Sequence, residues 1–376
     1  MLDSLYIKNY RNLKELDISH LSRVNLITGK NNTGKSTVLE AIAIYASKGD
    51  LNLIFQLLEE RGELYKSKES STNSTDMEVR TFSSLFTDRN VGFDAADAIL
   101  IGDAEKTLSG KNLLPEKTMS LRFVKYMDKT ESDSDGSTVR RRIVVQNNAE
   151  KQAEDYHIGF EIKTGPLSYL LPLDEGRPYR IGFRPVDKDS NIQFVRTGNI
   201  DKGANGNLFD NITLTEEEGY VIEALQIIEP LTERIAFIEE SSGERSAVIK
   251  LSGSQRILPL RSMGDGINRI LTIILALVNA DNGFLLIDEF ENGLHHTVQA
   301  QLWDIIFRLA PKLNTQVFVT THSDDCIKGF ETVLNDSDNS SKGKLIRLDS
   351  ESDRIKYVEF DAKELQIAND QNIEIR

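Results

Sequence analysis

Gly29-Lys30-Asn31-Asn32-Thr33-Gly34-Lys35-Ser36 is the stretch that decides how this chain is read. The octet fits GxxxxGK[ST] in full. It follows a β-prone run, Val24-Asn25-Leu26-Ile27, and opens a segment from Lys35 to Ala46 in which Val38, Ala41, Ile42 and Tyr45 recur at helical spacing. Strand, glycine-rich turn and helix in that order make a phosphate cradle. The glycines let the backbone curl until successive N–H groups face one anion, and the helix N-terminus adds partial positive charge. Gly29, Asn31, Asn32, Thr33, Gly34, Lys35, Ser36 and Thr37 are the candidate nucleotide contacts. Lys35 is expected on the β- and γ-phosphates, and Ser36 offers its hydroxyl to Mg2+. The expected cofactors are ATP and Mg2+.

Two distal runs supply the rest of a site. Gly283-Phe284-Leu285-Leu286-Ile287-Asp288-Glu289 reads as a buried strand ending in two carboxylates. Asp288 is placed to hold Mg2+ through its water shell, and Glu289 to orient or deprotonate an attacking water. Val317-Phe318-Val319-Thr320-Thr321-His322-Ser323 is a second apolar strand, ending in a histidine. Ligands of a parallel sheet sit outside the carboxyl ends of its strands, so His322 is expected to share a crevice with Asp288 and Lys35. Lys35, Glu289 and His322 are thus the catalytic candidates, and Ser36 and Asp288 the metal ligands. Ser262-Met263-Gly264-Asp265-Gly266 precedes a helical pattern; small residues at a helix N-terminus can form a second anion cradle, and an ordinary N-cap and turn is the alternative reading.

Around these motifs the texture varies. The residues from 51 to 117 mix helical patterns with a polar run, Lys66 to Asp76, read as a loop. Between 119 and 196 the pattern is β-like, with runs at Met119–Tyr126, Val139–Gln146, Tyr156–Ile162 and Ile192–Val195 taken as one antiparallel insert. A helix over 216–228 and strands near 235–238 and 247–251 follow. The last third alternates helix and strand, which predicts α/β packing on a mixed, mostly parallel sheet. The expected division is a discontinuous ATPase core, 1–48 and 255–376, and a helical and β-rich insert, 49–254, that partly completes the head. Asp133-Ser134-Asp135 and Asp336-Ser337-Asp338 sit in polar turns and read as solvated loops.

Composition narrows the class. With 39% hydrophobic and 28% charged residues the chain suits a soluble globular protein, and no run approaches the ~20 apolar residues of a membrane helix. A single cysteine, Cys326, excludes an intrachain disulfide framework. The opening lacks signal-peptide character, so a cytoplasmic setting is expected. A net charge of −14 argues against coating nucleic acid over the whole surface but leaves a local basic groove open. Arg140-Arg141-Arg142 with Arg177, Arg180 and Arg184 are the candidates for such a groove.

With all four motifs in order, the chain resembles ABC-type ATPases of the RecF, SMC-like and OLD (overcoming lysogenization defect) group. The octet at 29–36 resembles Walker A, the Asp288–Glu289 strand Walker B, the 262–266 turn the LSGGQ-like signature, and His322 the switch histidine. Ile287-Asp288-Glu289-Phe290-Glu291-Asn292-Gly293-Leu294-His295 is similar to the DEIENGLHP segment of compact OLD-like ATPases from phage-defence operons. Ile7-Lys8-Asn9-Tyr10-Arg11-Asn12 also matches the group, and Arg11 stands where relatives carry an arginine that reaches the nucleotide. The signature lacks its leading Leu and final Gln, and His295 replaces the aspartate of the D-loop in transporter-type relatives. Gln56 is the candidate Q-loop glutamine.

The resemblance implies an ATPase that forms a homodimer or higher homo-oligomer, with Ser262 and Gly264 of one copy facing the nucleotide held by Lys35 of the other. It further implies a sensor or regulator of a separate effector in anti-phage defence, the effector being a Toprim-type or HNH nuclease encoded nearby. A Toprim domain is not expected within these residues, given the short stretch that follows His322. Two rival readings remain: a RecF-like repair clamp that binds DNA directly, and a non-catalytic ATP-bound scaffold restraining a toxin. An intact Glu289 argues against the second.

Overall fold

Among the described residues the chain forms two large sheets, each in its own compact unit, and a small antiparallel one of Thr232–Glu239, Arg245–Leu251 and Ile257–Pro259. The computed structural model describes residues 1–65, 74–107, 110–132, 138–145, 156–174, 191–197, 202–240, 245–336, 338–351, 354–371 and 375. Asp133-Ser134-Asp135, Arg177, Arg180 and Arg184 lie outside the described residues, as do most of the polar run from Lys66 and Ser337. One unit comprises Met1, His20–Leu39 and Lys188–Arg376, the other Leu2–Ser19 and Glu40–Asp187.

In the first unit a six-stranded sheet runs in the order Arg354–Phe360, Gly343–Glu351, Val24–Gly29, Gln316–Thr320, Phe284–Ile287, Ile192–Val195. Every pairing is parallel except that of the first two strands. Val24–Gly29 and Gln316–Thr320 are buried at every position. That is the mark of a sheet covered on both faces, where strands read as unbroken apolar runs. Helices Asp265–Val278, His296–Lys312 and Asp324–Leu334 belong to the same core. The Ser323 hydroxyl caps the third by accepting the Cys326 N–H at 3.3 Å. Trp303 stacks on Phe290 with ring centroids 4.3 Å apart, and meets Phe330 edge-on at 5.0 Å.

Register then fixes the rim. Thr320 lies opposite Ile27, and Ile287 opposite Val319. The turns that leave these three strands therefore emerge level with one another, at the carboxyl end of the sheet.

The second unit holds a seven-stranded antiparallel sheet: Leu13–Ile18, Leu5–Tyr10, Ile99–Thr107, Gly110–Ser132, His157–Thr164, Leu167–Pro172, with Thr138–Val144 also on Gly110–Ser132. Its core is aromatic. Phe82 stacks on Phe160 at 4.5 Å and Phe86 on Phe123 at 5.2 Å.

The α/β class and mostly parallel sheet are as expected, but three expectations need correction. Ile192–Val195 is not part of the antiparallel insert. It pairs parallel with Phe284–Ile287, so 188–254 is the part of the 49–254 stretch that groups with the nucleotide-loop unit. Conversely 2–19 and 40–48 leave the expected core, because Leu5–Tyr10 is laddered on one side to Leu13–Ile18 and on the other to Ile99–Thr107. The β-rich stretch also begins at Ile99, well before Met119.

Gly29 is the tightest backbone position in the loop. Its φ is +140°, and a Cβ there would lie 2.4 Å from the Leu348 carbonyl oxygen and 2.8 Å from Thr33 Oγ1. Gly29→Ala must both strain the backbone and push a neighbouring strand. We expect it to destabilise the protein by about 2–4 kcal/mol, read as a lower denaturant midpoint. An unchanged midpoint would mean the loop relaxes freely.

Candidate active site

Three turns meet at that rim. The first is the octet. Gly29, Asn32 and Gly34 all have positive φ, at 140°, 63° and 88°, which curls the chain between strand and helix. Thr33 Oγ1 donates to the Lys30 carbonyl at 2.9 Å and holds the curl from inside. Lys35 is buried, and its Nζ donates to the carbonyls of Gly29 at 2.6 Å and Lys30 at 2.9 Å. Burial pushes the Lys35 pKa below that of an ordinary lysine, against the attraction of Asp288, Glu289 and Glu291. Lys30, Asn31 and Asn32 are exposed, and Thr37 is buried in the first turn of the helix Lys35–Ala46.

The second turn follows Phe284–Ile287. Ser36 Oγ donates to Asp288 Oδ1 at 3.0 Å, although the two residues are 252 positions apart. The same oxygen accepts the Thr320 hydroxyl at 2.6 Å. Thr320 Oγ1 in turn accepts the Glu289 N–H at 2.9 Å. Glu289 itself has φ 49°, an uncommon backbone for a non-glycine residue.

The third turn carries His322. Its Nε2 lies 3.4 Å from Glu289 Oε1, with the two side chains 39% and 41% exposed. The Glu291 carboxylate accepts the Thr321 hydroxyl at 2.8 Å and the His322 N–H at 2.7 Å, so it holds the histidine turn from below. A solvent-reachable carboxylate beside an imidazole can take a proton from water. A hydroxyl and a carboxylate sharing one point in space can bind a hard cation.

Lys35, Ser36, Asp288, Glu289 and His322 are therefore brought to one rim. Ser262 and Gly264 lie elsewhere in the same unit and are exposed. Ser262 Oγ donates to the Pro259 carbonyl at 2.7 Å, and Gly264, with φ +97°, has open space around its Cα. Arg11 belongs to the antiparallel unit, where its Nε is 3.0 Å from Glu40 and its Nη1 2.7 Å from Glu63. Its charge is thus met by two carboxylates. Gln56 is in that unit too, on an exposed helix face, donating to Glu60 at 3.3 Å.

Sequence reading missed Thr320, Glu291 and Arg269. Thr320 looked like one more β-branched strand residue. Glu291 was absorbed into a motif string without a role. Arg269 had a signal: it is a lone charge in the otherwise apolar run that follows Asn268. It is buried, and it donates to the main-chain carbonyls of Asp288 and Glu289.

Among the described residues, no group of three or more His, Cys, Asp or Glu side chains could hold a metal. Mg2+ does not need one. It keeps several waters and binds through one or two protein oxygens plus phosphate oxygens, so Ser36 and Asp288 fit it. Among the described residues, no helix is long and apolar enough to cross a membrane.

Comparison with known proteins gives a family and several likenesses. The family model described as "AAA domain, putative AbiEii toxin, Type IV TA system" matches residues 24–325. An ATP/GTP phosphatase of Helicobacter pylori is 24% identical over 370 residues, covering 93% of this chain and 92% of that protein. The DNA replication and repair protein RecF of Lactobacillus acidophilus is 49% identical over 45 residues, 12% of each chain. A crystal structure of an SMC head bound to the C-winged helix domain of ScpA aligns over 96% of this chain and 98% of that one, at 14% identity and a TM-score of 0.49.

Proposed function

This chain belongs to the AAA-domain family whose model spans residues 24–325, and from that premise we propose that it binds and hydrolyses ATP as a dimer that regulates a separate effector. The observation that carries the reading is the meeting of Ser36 and Asp288 at 3.0 Å. Two motifs far apart in sequence supply oxygens to one point, beside the phosphate loop and within reach of Glu289 and His322.

Each residue then has a role. The N–H groups of the curled 29–34 loop bind the β- and γ-phosphates, helped by the start of the helix at Lys35 and Thr37. Lys35 turns its ammonium from the loop carbonyls to phosphate oxygens. Ser36 and Asp288 would hold Mg2+, which would supply positive charge against the triphosphate. Glu289 accepts a proton from the attacking water, and the imidazole of His322, 3.4 Å away, orients that carboxylate and contacts the γ-phosphate. Ser262 and Gly264, exposed at the start of Asp265–Val278, contact the nucleotide of a second copy. The effector is a nuclease of an anti-phage system, in keeping with the OLD-like motif string at 287–295.

The rival reading, direct binding of DNA, needs a basic surface. Arg142 Nε lies 3.8 Å from Asp128, which offsets part of the Arg140–Arg142 charge. The test begins with purified protein, ATP and Mg2+. Phosphate release that needs the cation, with dimers seen by light scattering only when ATP is present, is the expected result. Turnover by monomers alone would remove the sandwich. Retardation of duplex DNA at physiological salt would favour the repair clamp, and nucleotide-dependent co-purification with the adjacent gene's product the regulator.

A further inference from the structure

Helix Asp265–Val278 is buried along most of its length, and its apolar side chains lie in the core of the parallel unit. One turn in, it carries a guanidinium. Arg269 is only 3% exposed. Its Nη1 donates to the Arg196 carbonyl at 2.7 Å, just past the edge strand Ile192–Val195. Its Nη2 donates to the Asp288 carbonyl at 2.8 Å and the Glu289 carbonyl at 3.1 Å. One side chain thus ties together the helix, the end of the edge strand and the carboxylate turn. Carbonyls just past strand ends have left the ladder and need donors when buried. A buried charge, for its part, is tolerated only where such groups surround it.

The tie falls on a strained residue. Glu289 has φ 49°, and a non-glycine residue keeps such a conformation only when its surroundings over-determine it. Thr320 holds the Glu289 N–H and Arg269 the Glu289 carbonyl, so the backbone is pinned on both sides of the carboxylate. Since the helix begins at Gly264, the same side chain links the Ser262–Gly264 turn to Glu289.

We propose that Arg269 is a positioning residue for hydrolysis, whose forked guanidinium fixes the Glu289 backbone so that the carboxylate stays aimed at the attacking water. This rests on the reading of Glu289 as the proton acceptor. Lysine is a poor substitute, because a single ammonium on a flexible stem cannot meet the Arg196 carbonyl and the Asp288–Glu289 carbonyls in one fixed geometry.

Arg269→Ala and Arg269→Lys are compared with wild type and Glu289→Gln by phosphate release and by equilibrium binding of a fluorescent ATP analogue. Arg269→Ala is expected to lower kcat about 30-fold and Arg269→Lys about tenfold, with ATP affinity within about threefold of wild type. In a Glu289→Gln background, Arg269→Ala should change the residual rate by less than about twofold, since both substitutions act on one group. If the alanine variant does not fold, Arg269→Lys carries the test. A folded variant with wild-type kcat, a parallel loss of binding and turnover, or a penalty undiminished in Glu289→Gln overturns the proposal. Wild type without turnover, or Glu289→Gln as fast as wild type, removes the underlying reading and the proposal with it. Those two proteins report that failure independently of Arg269.

Discussion

Glu289→Gln is expected to lower ATP turnover by at least about 100-fold while leaving ATP binding intact, the scale of loss when a positioned proton acceptor is removed. The amide matches the carboxylate in size and can still accept a hydrogen bond near His322, which stands 3.4 Å from the native Oε1. What it cannot do is take a proton from water. The backbone at this position is held from outside the side chain, by the Thr320 hydroxyl and the Arg269 guanidinium, so the substitution should not disturb the turn. If hydrolysis is what releases the dimer, blocking it should leave ATP-bound dimers that persist through gel filtration. Phosphate release by the variant at the wild-type rate would show that another group takes the proton. A variant that stays monomeric with saturating ATP would count against γ-phosphate contacts as the dimer's glue.

Much of this site could be read before any coordinates because its chemistry is packed into short strings. Gly29, Lys35 and Ser36 sit in one octet, and the strand before it and helix after it are announced by apolar spacing. Asp288 and His322 were legible because each follows closely on an apolar strand, and in a parallel sheet such ends share a rim. What escaped depends on partners that sequence does not name. The short run Ile192-Gln193-Phe194-Val195 looks alike whether it pairs with an antiparallel neighbour or with Phe284–Ile287, and only the fold chooses. Leu13–Ile18, with charges at Lys14, Glu15 and Asp17, gave little sign of a strand until paired with Leu5–Tyr10. Arg269 acts on main-chain carbonyls, which every residue has, so no pattern of side chains could point to its targets, and Thr320 meets the Asp288 carboxylate only through the pairing of two strands distant in sequence.

Lys35→Ala should weaken ATP binding by about 100-fold and abolish measurable turnover, yet leave the melting temperature nearly unchanged. The binding loss follows from charge. A buried ammonium meeting two phosphates makes charge-assisted hydrogen bonds worth about 1.5–3 kcal/mol each, and every 1.4 kcal/mol is roughly a factor of ten in affinity. The small effect on stability follows from two opposed terms. Alanine forfeits the bonds from Nζ to the Gly29 and Lys30 carbonyls. It also removes a charge that burial disfavours: the Lys35 pKa lies below its usual 10.5 despite Asp288, Glu289 and Glu291 nearby. The folded chain therefore holds that proton less tightly than the unfolded one. Lys35 opposes folding at neutral pH, and the penalty is relieved only as pH climbs through its lowered pKa toward 10.5. Wild type should accordingly gain on Lys35→Ala in relative stability as pH is raised through that alkaline range. Titration calorimetry with ATP and melting curves at neutral and alkaline pH read the two halves separately. ATP affinity within threefold of wild type would mean that Lys35 does not face the phosphates, and the nucleotide site would have to be sought elsewhere in the chain.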